Sequence, residues 1–166
     1  DDVQYYRPLY NLEQVEILRG PNALLFGRGG TGGVLNRVTK KSEIGSDFNT
    51  YQVGADQFGG YSVQLDSNTS LSSSSAFRLN AYYSELAGDR DHYDGERLGI
   101  NPTFRYSPSD DTTIDLSYEY VDHQRFIDRG IPTANNRPVE SLRNQVFADP
   151  ELNTTELEAH IFRATL

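Results

Sequence analysis

The 166-residue sequence has no cysteine, no methionine and no tryptophan. Without cysteine there is neither a disulfide framework nor a thiolate metal site. Positive charge is scarce too. Fifteen Lys and Arg stand against 24 Asp and Glu, a formal net charge of −9. A nucleic-acid partner wants a basic face, so that class is excluded. Long apolar runs are missing: the hydrophobic fraction is 36%, and nothing approaches the roughly 18 apolar residues of a membrane helix. No signal peptide opens the chain, which reads as a missing N-terminal portion. These gaps point to a soluble polar domain with one exception. A membrane β-barrel alternates apolar and polar residues and never shows a long apolar run.

Catalytic and metal constellations are also lacking. His92, His123 and His160 lie far apart without ligand spacing. Asp89, Asp91, Asp94 and Gly95 approach a calcium loop, but the spacing is one residue off and the bidentate Glu is misplaced. A solvated acidic loop is the reading. The sequence predicts no enzyme, no resident metal and no cofactor.

Glycine, by contrast, is concentrated. Six of the 14 glycines lie between Gly20 and Gly33, inside the stretch VEILRGPNALLFGRGGTGGVLNRV at 15–38. Glycine reaches positive φ and lets another backbone approach closely, so the stretch reads as a tight turn packed on backbone between two apolar segments. Gly27 to Gly32 fits a dinucleotide fingerprint, but Val34–Lys41 is β-branched and basic with no amphipathic helix after the glycines. The βαβ context that the fingerprint requires is absent.

From Phe48 onward the apolar period is two. Tyr51, Val53 and Ala55 share one face; so do Tyr61, Val63 and Leu65; Phe77, Leu79, Ala81 and Tyr83; Leu98, Ile100, Pro102, Phe104 and Tyr106; and Ile114, Leu116, Tyr118 and Tyr120. A last segment begins Leu157, Ala159, Ile161, and its phase blurs at Phe162 and Arg163, read as a bulge. Asn68 to Ser75 is Ser-rich and reads as a turn. Six strands follow, each about ten residues long, the length of a tilted membrane strand. The opposite faces carry Arg78, Arg105, Asp115 and Glu119, suited to an aqueous or filled lumen. Aromatics end the apolar faces at two levels, Phe77 with Tyr106 and Tyr83 with Tyr120, as interfacial girdles do. Residues 107–111 make a tight turn, whereas 88–96 and 123–154 are long polar connections. That asymmetry matches short periplasmic turns and long outer loops.

Several motifs resemble one family. Glu16-Ile17-Leu18-Arg19-Gly20-Pro21, Leu25-Phe26-Gly27-Arg28-Gly29 and Gly32-Gly33-Val34-Leu35-Asn36-Arg37-Val38-Thr39-Lys40 resemble the end of the plug domain of TonB-dependent outer-membrane receptors. Tyr5-Tyr6-Arg7 and Asn11-Leu12-Glu13 are most similar to the ferric-siderophore branch. Pro102–Thr113 and Asp128-Arg129-Gly130-Ile131-Pro132 resemble the first barrel strands and third outer loop of the same receptors. The fold class implied is all-β, with the C-terminal part of a plug at 1–42 and the first six antiparallel strands of a large transmembrane β-barrel at 43–166. Six strands cannot close a barrel around a plug, so the chain reads as an internal fragment.

The resemblance implies cell-outer-membrane localisation and uptake of a ferric siderophore with energy from TonB, which would act through a missing N-terminal segment. Outer-membrane lipid and lipopolysaccharide would surround the barrel. Other cargoes (cobalamin, haem, an oligosaccharide) and a secreted β-sandwich binding module remain as alternatives. Arg19 is implied as the lock between plug and barrel glutamates, against an ordinary surface arginine. Gly20, Gly27, Gly29, Gly32 and Gly33 form the plug glycine motif. Tyr5, Tyr6 and Arg7 either face the cargo or, for the tyrosines, pack the plug against the wall.

Overall fold

Alternating β-branched and aromatic residues on a pleated backbone make strands, and strands are what the chain forms. The computed structural model describes residues 8–19 and 33–166. An N-terminal antiparallel pair joins β1 (Leu12–Leu18) to β2 (Val34–Thr39). Then come β3 (Phe48–Ala55), β4 (Tyr61–Ser72), β5 (Ser75–Ala87), β6 (Asp94–Ser109) and β7 (Thr112–Phe126). A two-residue pair, β8 (Thr133–Ala134) with β9 (Arg137–Pro138), precedes β10 (Thr154–Thr165). Strands β3 to β7 and β10 form one antiparallel sheet in the order β10-β7-β6-β5-β4-β3. Within this sheet each strand pairs with its neighbour in sequence apart from the interposed β8–β9 pair, an antiparallel meander.

The connections alternate in length. Two-residue turns at 73–74 and 110–111 lie at one end of the sheet, and the segments 56–60, 88–93 and 127–153 lie at the other. The Ser-rich stretch expected to be a turn is mostly strand. Asn68 to Ser72 continue β4, because Asn68 is buried and its amide donates to the carbonyls of Glu43 and Ser46. The longest connection is ordered rather than structureless. Asn135 and Asn136 take positive φ, 51° and 60°, which is the type I′ geometry of a tight hairpin.

Burial in the sheet is inverted relative to a soluble domain. Among the described residues the buried apolar side chains are Tyr10, Ala76, Val121 and Phe126. The buried polar ones include Asn11, Ser42, Asn68, Arg78, Asn80, Asn101, Thr103, Glu119 and His123. Tyr51, Val53, Phe77, Ile100, Tyr106, Leu116 and Phe162 are exposed. A sandwich would bury the apolar face of each strand; here that face is bare and the polar face is covered. On β6 the bare face runs from Leu98 to Tyr106, about 26 Å along the strand and about 20 Å of height at barrel tilt. Tyr61 packs on Tyr83 at 5.9 Å near the long-loop end, whereas Phe77 lies opposite Phe104, one step from Tyr106, near the short turns.

The phase of β10 differs from the sequence expectation. Twelve consecutive pairs join it to β7 with no bulge. Leu157, Ala159 and Ile161 lie opposite His123, Val121 and Glu119, so they share the inner face with those buried residues. Phe162 faces outward and packs on Tyr118 at 4.7 Å. Continuous pairing with a long, well-set neighbour overrides a three-residue apolar pattern.

Candidate functional site: the junction of the N-terminal pair with the wall

The covered polar face is covered by the chain's own N-terminal region. Tyr10 and Asn11 come just before β1, and residues 40–47 lead from β2 across the sheet into β3. Each brings a donor to the wall. Lys40 Nζ lies 2.8 Å from Asp66, Lys41 Nζ lies 2.8 Å from Asp115, and Asn11 Nδ2 donates to Glu119 Oε1 at 3.0 Å.

One rule describes all three contacts. Each wall carboxylate also holds an arginine of an adjacent strand. Asp66 grips Arg78 through two bonds of 2.7 and 2.8 Å. Asp115 grips Arg105 through bonds of 2.7 and 3.0 Å. Glu119 accepts from Arg163 at 3.0 Å. The forked guanidinium suits a carboxylate. A carboxylate has lone pairs left after accepting two bonds, and the N-terminal donors take those positions. Arg78 is the most enclosed member, its side chain 5% exposed. Its remaining Nη1 donates to the Lys41 carbonyl and to Glu43, both at 3.0 Å, and its guanidinium lies 5.1 Å from the Phe48 ring. Burying a charge is costly unless every bond is made, and here the two segments complete each other's bonding.

Two further features fix the fit. Tyr10 stacks on Tyr82 at 5.8 Å and lies against Gly99, where an added Cβ would sit 2.6 Å from the ring. Only glycine leaves that space. The second feature is a repair. Pairing of β6 with β7 skips Asn101 and Pro102, resuming at Thr103 opposite Ser117. Proline has no N–H to give the ladder. The side chain of Asn101 donates instead, its Nδ2 reaching the Tyr118 carbonyl at 2.6 Å, while its Oδ1 accepts from Asn11 at 3.2 Å. One buried amide therefore closes the wall and receives the N-terminal region.

Arg19 is exposed at the end of β1. Gly33 has φ +140°, and a Cβ there would lie 2.5 Å from the Leu18 carbonyl oxygen. Tyr5, Tyr6, Arg7, Gly20, Gly27, Gly29 and Gly32 lie outside the described residues. Sequence reasoning placed Arg78, Arg105, Asp115 and Glu119 on the inner face but missed their partners Asn11, Lys40 and Lys41. The doublet Lys40-Lys41, directly after a strand in an acidic chain, was the available signal.

Comparison with known proteins agrees with this geometry. Residues 2–34 match the TonB-dependent receptor plug domain. The metal-pseudopaline receptor CntO of Pseudomonas aeruginosa is 32% identical over 157 residues, covering 93% of this chain and 22% of that receptor. The crystal structure of the siderophore receptor PiuA from Acinetobacter baumannii superposes with a TM-score of 0.70 at 28% identity, over 78% of this chain and 18% of that one. The ferric-catecholate import receptor Fiu of Escherichia coli, in its open form, gives a TM-score of 0.69 at 28% identity, over 76% and 19%. The chain thus spans about a fifth of the length of the curated relatives it matches. The plug match, the relatives and an outward-apolar, long-looped meander whose polar face receives Tyr10 and Asn11 place the chain among the TonB-dependent receptors of the outer membrane.

Proposed function

We propose that the full-length protein imports a metal chelate, a ferric siderophore, across the outer membrane with energy supplied through TonB, and is a transporter rather than an enzyme. The observation that supports this is the junction: Asn11, Lys40 and Lys41 of the N-terminal region meet three carboxylates on the polar face of the sheet. Two of the similar receptors are described as receptors for siderophores or ferric catecholates. Iron travels inside its chelator, so no protein ligand to the metal is required. On this reading residues 1–42 end the plug and 43–166 begin the barrel. Arg19, exposed here, pairs with glutamates of strands outside this chain. Tyr5, Tyr6 and Arg7 meet the anionic chelate by stacking and charge, and Gly20, Gly27, Gly29, Gly32 and Gly33 allow the close packing of the plug. Outer-membrane lipid and lipopolysaccharide bathe the apolar face.

The test is growth of a strain lacking the full-length gene on iron-limited medium with single defined siderophores. Loss of growth on one, restored by the gene, is the expected result; growth on all of them sinks the reading. The resemblance to the metal-pseudopaline receptor makes other chelated metals the second reading, checked by metal content of the same strains.

A further inference from the structure

The connection 88–93 and the much longer one at 127–153 are fastened to each other chiefly by the side chain of Arg90. Arg90 Nε and Nη2 both reach the carboxylate of Asp128, Nη2 at 3.0 Å. Its Nη1 donates to the Arg143 carbonyl at 2.6 Å, and Nη2 also donates to the Gln145 carbonyl at 3.0 Å. One guanidinium thus holds both the beginning and the later part of the same 27-residue connection. The contact is reciprocated, because Arg143 donates to Asp89 at 2.7 Å.

Both sides of this fastening are locally stiff. On the short side, Tyr93 packs over Gly88, where a Cβ would meet its ring at 2.5 Å, and the Tyr93 N–H bonds back to the Arg90 carbonyl at 3.2 Å. On the long side, Asp128 accepts the Gly130 N–H at 2.9 Å. The β8–β9 hairpin closes through Val139 N–H to the Pro132 carbonyl, and the base of the connection closes through Ile127 N–H to the Asn153 carbonyl. The side chain of Asp128 is 8% exposed and that of Arg90 21%. The forked guanidinium makes four bonds here, using all three of its nitrogens; a lysine ammonium has no fork to do the same.

We propose that Arg90 is the pin of a cap: it binds 88–93 and both arms of 127–153 into one body before any cargo arrives. On the reading that the long connections face outside, the cap is a pre-organised cell-surface element, and the β8–β9 finger moves only as part of it. No particular cargo is needed.

The test is hydrogen–deuterium exchange on the full-length receptor in detergent, comparing wild type with Arg90→Gln, Arg90→Lys and Asp128→Asn. Arg90→Gln is expected to speed exchange about ten-fold or more in both 127–132 and 139–146, with β5 to β7 unchanged. Asp128→Asn is expected to loosen 127–132 alone, because the carbonyl contacts persist. Arg90→Lys is expected to loosen chiefly 139–146. If Arg90→Gln fails to assemble, the split between the two milder variants decides. Protection unchanged in all variants, or lost in one arm only with Arg90→Gln, overturns the pin. The measurement involves no transport, so its failure and a failure of the uptake reading are separable.

Discussion

Gly99 and Tyr10 show how one missing Cβ sets a contact. Gly99→Ala must push the Tyr10 ring aside, since the added carbon would lie 2.6 to 2.9 Å from three of its atoms. The expected loss is about 1–3 kcal/mol of receptor stability, and Tyr10→Ala in the same chain should recover part of it. Thermal unfolding of the four full-length proteins in detergent checks both. Arg78 makes the larger prediction. Asp66→Asn removes the charge that offsets a guanidinium 5% exposed, at a cost of about 3 kcal/mol. Asp66→Asn combined with Arg78→Met should cost less than Asp66→Asn alone, because the buried guanidinium is removed together with its carboxylate. Additive losses would refute the pairing. None of these partners is near in sequence: Asp66 and Arg78 are twelve residues apart, and Asn11 and Glu119 are 108 apart. The charges were legible on the polar face of each strand; which of them meet was not.

Among the elements, β6 carries the least expected arrangement. A proline in the middle of a central strand ordinarily argues against the strand, yet the period-two pattern held because Asn101 supplies the missing donor. Asn101→Ala leaves the Tyr118 carbonyl without that bond, at about 1–3 kcal/mol. Pro102→Val returns a backbone N–H to the ladder, so the double variant is expected to regain most of the wall's stability, measured by urea unfolding in liposomes; no recovery would refute the repair. The outer connections make the next prediction. Arg90 at its carboxylate, reinforced by the Gly130 N–H, holds Asp128 below the ordinary carboxylate range. A lowered folded pKa means stability that is complete above the unfolded value and is lost as pH falls through the folded one. The charged groups facing Asp128 come from 88–93, chiefly Arg90. A spin label at Asn135→Cys in the full-length receptor should stay immobile at neutral pH and through mild acid, then loosen only below the usual carboxylate range. Loosening near pH 6 would contradict this.

The whole molecule is an inverted structure, with polar groups covered and apolar groups bare, and that inversion assigns its solvent. Ile100→Arg on the bare face is expected to cost about 2–4 kcal/mol in a bilayer, the midplane penalty for a barrel. Gln64→Arg on the inner face should be nearly neutral. Outer-membrane assembly of both full-length variants checks this, and equal tolerance would mean the bare face does not meet lipid.

The alternation of residues alone determined the strands, the two faces and the short-turn and long-loop ends, because a pleated backbone converts sequence parity directly into side. It misjudged β10, where the blurred phase at Phe162 and Arg163 was read as a bulge and the structure has twelve unbroken ladder pairs with β7. It also ended β4 too early, since serines signal a turn only when no neighbour binds them. The tertiary structure alone decided that the polar face is a seat. Lys40, Lys41 and Asn11 acquire their roles from carboxylates on β4 and β7, and a carboxylate shared between two segments is a property of neither segment by itself.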